Sequence, residues 1–365
     1  MIRLRRSTAL VLGLEAGAVV GHDYFTGKRA PLSAVALGAL AALAEWRRPE
    51  ELFEGVERRR ELSTTLVELL DLGFVLAEGS AAAAVDERLR REWKWGPGAG
   101  QYHFGIKDPD YQGPIAVVQW MAHQVATEKD VPLFTTHDGR DEAIRLAAPG
   151  GDLFALMARR RSYRGFAVDA PLPLVALADC LFAGMGITGF AESGVAGHQP
   201  LPMAMTPSGG ARNPYEAYVV ARAVEGLDPG VYHYSGADHS LAPTGRGPES
   251  IARLLGNQEW FDAAGAVVFL VASFERSMWK YPHPTGYRVV VLEAGHIAQN
   301  MLLAATSHGL AATPTCALAD RVVEELLGLD RVTQAAIHSV ALGVRSPRPS
   351  MADAGQVVPN PRLRR

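Results

Sequence analysis

The segment that most restricts the fold is residues 288–308. It contains Val289-Val-Val-Leu-Glu-Ala-Gly-His-Ile-Ala-Gln-Asn-Met-Leu-Leu-Ala-Ala305, which predicts one long helix, apolar nearly all round, with Gly309 as its C-cap. A helix of that kind needs cover on every side. The pattern therefore predicts a core helix whose remaining face lies in a dimer core. Length permits this: 365 residues suggest two domains, and 48% apolar with 21% charged residues is a globular balance.

Several function classes are disfavoured at once. A net charge of −3 does not suggest a nucleic-acid binder. Cys180 and Cys316 have no CxxC spacing, so neither a disulfide framework nor a zinc ribbon is expected, and a reducing cytoplasm fits. The first twenty residues imitate a signal peptide, but Glu15 interrupts the apolar run and the segment reads as strands. Residues 32–43 are too short to span a bilayer, so no transmembrane segment is expected. There is no G-x-S-x-G elbow, no P-loop and no H-E-x-x-H. The eleven histidines are scattered without ligand spacing, and no metal is expected.

Taken in order, residues 3–14 and 16–25 alternate as two strands, and Thr26-Gly27-Lys28 then turns the chain. Ser33 caps a helix to about residue 46, and further helices are expected at 49–56 and 63–72. Gly73 ends the last of these, and Phe74-Val75-Leu76 is a short strand. Residues 1–80 thus read as a small winged-helix-like domain. Its third helix lacks the basic residues of a DNA reader, so either protein binding or a structural, dimer-supporting role is expected. Residues 81–150 form a linker and extension: a small-residue helix or linker at 78–86, a break at Trp93-Lys-Trp-Gly-Pro-Gly98, and a helix at 114–125. Pro149-Gly150-Gly151 is the domain boundary, and residues 151–348 form the second domain before a tail at 349–365.

The second domain opens with Arg159-Arg160-Arg161-Ser162-Tyr163-Arg164, four arginines and a serine in six residues. Guanidinium forks and a hydroxyl suit a phosphate; a solvated basic patch complementing a helix C-terminus is the alternative. A helix at 171–182 runs into Gly184-Met-Gly-Ile-Thr-Gly189, literally G-x-G-x-x-G. The dinucleotide fingerprint follows a strand and opens a helix, whereas these glycines close a helix and lead into a loop, so the match is a decoy. Pro207-Ser208-Gly209-Gly210 precedes a strand at 216–221; its glycines allow close approach to a flat ligand or make an ordinary tight loop. A meander follows through 231–234 and 239–242. Asn257-Gln258 precedes a buried strand at 264–273. Lys280-Tyr281 precedes the long helix, Thr313-Pro-Thr-Cys316 reads as a loop, 320–327 as a helix and 335–342 as a strand, before Arg345 and Arg348.

Together and in this order, the arginine–serine stretch, the Pro-Ser-Gly-Gly loop, the Gly226-Leu-Asp-Pro-Gly-Val-Tyr-His-Tyr234 turn, Lys280-Tyr281 with Tyr287-Arg288, and the Glu293-Ala-Gly-His296 helix resemble the SagB-type dehydrogenase branch of the flavin nitroreductase superfamily. The resemblance covers residues 153–346. It implies an α+β fold, an α/β/α sandwich around a mostly antiparallel sheet. It implies FMN, with Arg160, Arg161, Ser162 and Arg164 at the phosphate and near edge of the ring. Pro207, Ser208, Gly209 and Gly210 then belong to a loop contacting the ring from the other subunit of a homodimer. Gln258 falls where an amide meets the pyrimidine edge, and Arg345, with Arg348 as the alternative, falls near the phosphate. Lys280 and Tyr281 match the pair azoline oxidases use in catalysis. The N-terminal region also resembles a peptide-recognition domain of peptide-modifying enzymes, where a leader peptide adds a strand to a sheet edge.

The chemistry has a separate rationale. Dehydrogenation sends a hydride to the flavin and a proton to a base. Lysine and tyrosine alone are poor bases at neutral pH, but a lysine ammonium beside a phenol favours the phenolate; a surface lysine beside a packed tyrosine is the alternative. Three functions are therefore expected to compete. The first is an FMN-dependent dehydrogenase making thiazole or oxazole from thiazoline or oxazoline on a peptide or carrier, with a precursor peptide and a cyclodehydratase as partners. The second is a nitroreductase-like reductase using NAD(P)H. The third is a flavin-bearing scaffold that docks a peptide or enzyme.

Overall fold

The computed structural model describes residues 2–53, 59–128, 133–134, 144, 146–197, 199–247, 250–348, 353 and 360. The end of the helix expected at 49–56 and nearly all of the tail from 349 lie outside them.

The N-terminal unit begins with four strands rather than two: β1 (Leu4–Arg6), β2 (Leu10–Glu15), β3 (Ala18–Asp23) and β4 (Lys28–Pro31). The run expected at 3–14 breaks because the Ser7 hydroxyl accepts the Ala9 amide at 3.1 Å and donates to Asp23 at 2.5 Å. Helices α1 (Ala34–Ala42), α2 (Pro49–Phe53) and α3 (Arg59–Asp71) follow, then β5 (Val75–Ala77). Ser33 is the N-cap of α1, its side chain accepting the Ala36 amide, as the sequence predicts. Strand β1 pairs with β5, and β2, β3 and β4 form a three-stranded antiparallel sheet. Leu4, Leu40, Leu43, Leu66, Leu69 and Phe74 pack a core of their own.

Helix α4 (Ala81–Glu92) is a full three-turn element, longer than the segment expected at 78–86. Its Asp86 is buried, pairs with the equally buried Arg5, and accepts the Thr8 amide at 2.7 Å and the Thr8 hydroxyl at 3.0 Å. That network fastens α4 to the first strands. After Trp93 the chain breaks only briefly: α5 (Gly96–Gly105) carries Pro97 in its first turn, where a missing N–H is harmless. Then come α6 (Pro114–Thr127) and α7 (Asp152–Arg159).

The second unit contains α8 (Leu174–Met185), β6 (Ile187–Ala191), β7 (Leu201–Ala204), β8 (Tyr215–Ala221), β9 (Gly230–Ser235), β10 (Ser240–Pro243), α9 (Ile251–Leu254), β11 (Ala266–Ser273), α10 (Phe274–Lys280), α11 (Thr285–Ser307), β12 (Ala311–Thr315), α12 (Asp320–Leu327) and β13 (Gln334–Gly343). Its main sheet has the order β10-β9-β8-β11-β13-β12, with every pair antiparallel. Strand β11 is the centre and is buried along its whole length. Val268 and Leu270 face α8 and α11, while Val267, Phe269 and Val271 face α9 and α12. A strand covered on both faces must be apolar throughout. This is the expected α/β/α sandwich.

Three expectations need correction. Residues 313–315 are not a loop but part of β12, which lies at the sheet edge, where Pro314 removes no needed ladder bond. The glycines at 184–189 lead into strand β6, not a loop; an added Cβ on Gly184 would sit 2.7 Å from Met301 Cε, so this glycine lets α8 approach α11. Finally, α11 begins at Thr285, three residues before the expected start; as expected of a core helix with a remaining face, it is covered within the chain on one side only. Tyr287, Val290, Ala294, Ile297, Met301 and Ala305 are buried, whereas Val289, Val291 and Leu292 are exposed.

Candidate functional site

The arginine stretch leaves the end of α7 and is pinned against the sheet. The Tyr163 amide donates to the Ala312 carbonyl at 3.0 Å, Ala167 to Val344 at 2.9 Å, and Ser346 to Gly165 at 2.8 Å. Residues 160–165 are therefore half-buried strand-like chain beside β12 and the end of β13. Arg345 arrives from β13 and lays its guanidinium over the Tyr163 ring, 3.8 Å from the centroid. A cleft of about 430 Å³ opens there, lined by Tyr163, Gly165, Arg345, Ser346, Pro347 and Asp353.

The individual side chains differ. Arg161 Nη1 folds back onto the carbonyls of Ala158 and Arg160 at 2.8 and 2.7 Å, so this guanidinium terminates α7. The Arg164 amide donates to Asp353 at 2.5 Å. Among the described residues, nothing partners the Arg160 guanidinium or the Ser162 hydroxyl. Half-buried donors without a protein acceptor are what an anion site requires.

A second cluster is held by α10 and α11. The Pro207–Gly210 loop is moored by Glu293, the single carboxylate in the apolar run of α11. Glu293 accepts the Gly209 amide at 3.2 Å and a hydrogen bond from Ser208, whose hydroxyl also accepts the Asn213 amide at 2.8 Å. The Ser208 hydroxyl is thus used in shaping the loop. Burial pushes the Glu293 carboxyl above its usual range, and its two hydrogen bonds oppose that rise. Gly209 lies so close to α11 that a Cβ would stand 2.5 Å from Val289 Cγ1. Gly210 has φ +64°, and a Cβ there would overlap the Tyr281 hydroxyl and sit 2.7 Å from Lys280 Nζ. Lys280 and Tyr281, at the end of α10, therefore stand against this loop in the same chain, with Lys280 Nζ 3.4 Å from the Gly210 carbonyl. Both side chains reach solvent.

Gln258 joins neither cluster through a contact among the described residues; its Nε2 donates to Leu255 at 3.0 Å and closes its own turn.

The sequence reading missed the groups that surround the pair. Glu216 receives Arg276, one helical turn before Lys280, and His233 Nε2 at 2.8 Å. Asn213, Glu216, His233, Arg276 and Glu293 line a cavity of about 210 Å³ beside the loop. Arg212 stacks on Trp279 at 4.6 Å and donates to the Arg276 carbonyl at 2.7 Å. On the other side, Trp95 and Trp93 come from the N-terminal half and pack with Phe274 and Tyr287. A lone glutamate in an apolar helix and a Trp-x-Trp run were the available signals for Glu293 and the tryptophans.

Comparison with known proteins gives a consistent result. The Nitroreductase family profile matches residues 157–344. The chain is 36% identical over 139 residues to the trifolitoxin-processing protein TfxB of Rhizobium leguminosarum bv. trifolii, which covers 36% of this chain and 37% of that protein. It is 35% identical over 175 residues to MJ1384 of Methanocaldococcus jannaschii, named as a nitroreductase, covering 47% of this chain and 82% of that one. It is 30% identical over 136 residues to the microcin B17-processing protein McbC of Escherichia coli, covering 35% of this chain and 50% of that protein. The matches thus span half or less of the two peptide-processing relatives.

Proposed function

The chain is an oxidoreductase of the nitroreductase family, and from that premise we propose that it is an FMN-dependent dehydrogenase that oxidises a thiazoline or oxazoline ring on a peptide or carrier. The observation that carries this reading is the meeting of Lys280 and Tyr281 with the Ser208–Gly210 loop. A nitroreductase core needs no lysine–tyrosine pair to pass electrons to a small acceptor. A dehydrogenase needs a base, because two hydrogens leave adjacent carbons, one as hydride and one as proton.

The residues fit the cofactor. Among the described residues, Arg160 and Ser162 are half-buried donors without an acceptor, Arg345 lines the cleft beside Tyr163, and Gly209 and Gly210 make a surface from which side chains are excluded. Arg160, Ser162, Arg164 and Arg345 would hold the FMN phosphate and near ring edge, with Arg161 contributing through its remaining donors. When bound, FMN supplies the two-electron acceptor. The arginine cluster is held by β12 and β13, and the glycine loop by α10 and α11, so a site made from both is completed by a second copy of the chain. The exposed apolar faces of α7 and α11 supply the surface for that homodimer.

In this reading Tyr281 Oη takes the proton from the substrate carbon. Lys280 stands beside the Tyr281 phenol and contacts the Gly210 carbonyl. Glu293 keeps the Gly209 amide turned toward α11. The same reading takes a precursor peptide as substrate and a cyclodehydratase as partner; TfxB and McbC are named as processing proteins for trifolitoxin and microcin B17.

A second reading, an NAD(P)H-dependent reductase of a small acceptor, is favoured by the match that covers most of MJ1384. Anaerobic mixing separates the two. A thiazoline-bearing peptide bleaches the flavin in the first reading; NADPH bleaches it, and the peptide does not, in the second.

A further inference from the structure

The Lys280–Tyr281 pair is anchored from a part of the chain that the family match does not include. Tyr281 is the C-cap of α10, a place where the helix leaves carbonyls without an internal partner. The Tyr281 carbonyl finds one in the indole of Trp95, whose Nε1 donates to it at 2.8 Å across a sequence separation of 186. Trp95 is fully buried. Its ring meets Trp93, Phe274 and Tyr287 edge-on at centroid distances of 5.6, 5.6 and 5.7 Å, so the indole has a single orientation. Gly286, at the start of α11, keeps the bond open: a Cβ there would lie 2.9 Å from Trp95 Nε1 and 3.0 Å from the Tyr281 carbonyl.

We propose that Trp95 is a positioning residue for the reaction, an anchor that holds the Tyr281 backbone so that its phenol stays against Gly210 and Lys280. This rests on the reading of Tyr281 as the base. Tyr281 closes α10, so its carbonyl takes no further bond from that helix, and its ψ is near +78°. A fixed carbonyl removes the main freedom by which the side chain could swing away from the loop. The donor comes from the segment following α4, which Asp86 fastens to the first strands. The N-terminal half thereby takes a direct part in the geometry of the site.

The test uses the full-length flavin-loaded protein and anaerobic stopped-flow reduction by a thiazoline-bearing peptide. Trp95→Phe keeps an aromatic ring and removes the N–H. It is expected to lower the limiting rate by roughly tenfold or more, with the apparent peptide affinity unchanged. In a Tyr281→Phe background the same change should cost less than about threefold, because the groups act as a unit. Gly286→Ala, which wedges the same bond from the other side, should reproduce the slow phase. Parent-like reduction in both Trp95→Phe and Gly286→Ala overturns the proposal, as does an equal loss in both backgrounds, the mark of a merely structural role. Parent-like reduction in Tyr281→Phe, or no bleaching of the parent by the peptide, overturns the base reading and this anchor with it.

Discussion

Lys280 Nζ lies 3.4 Å from the carbonyl of Gly210, a glycine whose φ of +64° and lack of a Cβ make that approach possible. Gly210→Ala must therefore strain the backbone, by about 1–2 kcal/mol, and push against the Lys280 and Tyr281 side chains. Flavin reduction by a thiazoline peptide should slow by roughly tenfold or more while the fold persists, given that small displacements of reacting groups are costly. Stopped-flow rates and circular dichroism on the same sample check this.

Arg160 and Arg345 have separable effects. Arg160→Ala should weaken FMN binding by about 1.5–3 kcal/mol, the worth of a charge-assisted hydrogen bond. Arg345→Ala should have a similar effect, because stacking on Tyr163 at 3.8 Å holds its guanidinium at the cleft. Fluorescence titration of the apoprotein with FMN measures both. Unchanged affinity in both variants would show that the stretch is a solvated helix end.

The outward face of α11 is a dimerisation test. Leu292 is 59% exposed, and Val289 and Val291 stand beside it. An Asp at Leu292 would bury a carboxylate in an apolar interface, which is strongly unfavourable. Light scattering should report a dimer for the parent and a monomer with weakened FMN retention for Leu292→Asp.

Asp320 gives the stability a pH dependence. Burial pushes its carboxyl up to about 6, despite the Asp108 amide that it accepts at 2.9 Å and the nearby Lys107. With its folded value above the unfolded one, the folded state holds the extra proton, so stability from this group is present at low pH and lost as pH rises from about 4 to 6. Asp320→Asn should remove that slope and raise stability near neutrality by on the order of 1–3 kcal/mol. Urea melts of both proteins at pH 4.5 and pH 7 measure it.

Local chemistry made some elements legible from sequence. Ser33 capped its helix, residues 320–327 formed theirs, and the unbroken apolar run of β11 marked the sheet centre. Strand β12 was missed because Pro314 argues against a strand until it is known to lie at an edge. The residues carrying the expected chemistry stood out as types. Their supports did not: Glu293 reaches a loop 84 residues away and Trp95 a carbonyl 186 residues away, and no spacing rule predicts such pairings. The G-x-G-x-x-G resolved as packing, since Gly184 makes room for Met301.

The central claim is that Lys280 and Tyr281 take a proton from a heterocycle while FMN accepts the hydride. Its most direct test is anaerobic flavin bleaching on mixing with a thiazoline-bearing peptide. Fast bleaching of the parent is expected, with a loss on the order of 10²–10⁴-fold in Lys280→Ala and Tyr281→Phe and flavin still bound. Rapid bleaching by NADPH together with none by the peptide, or parent rates in both variants, would contradict it.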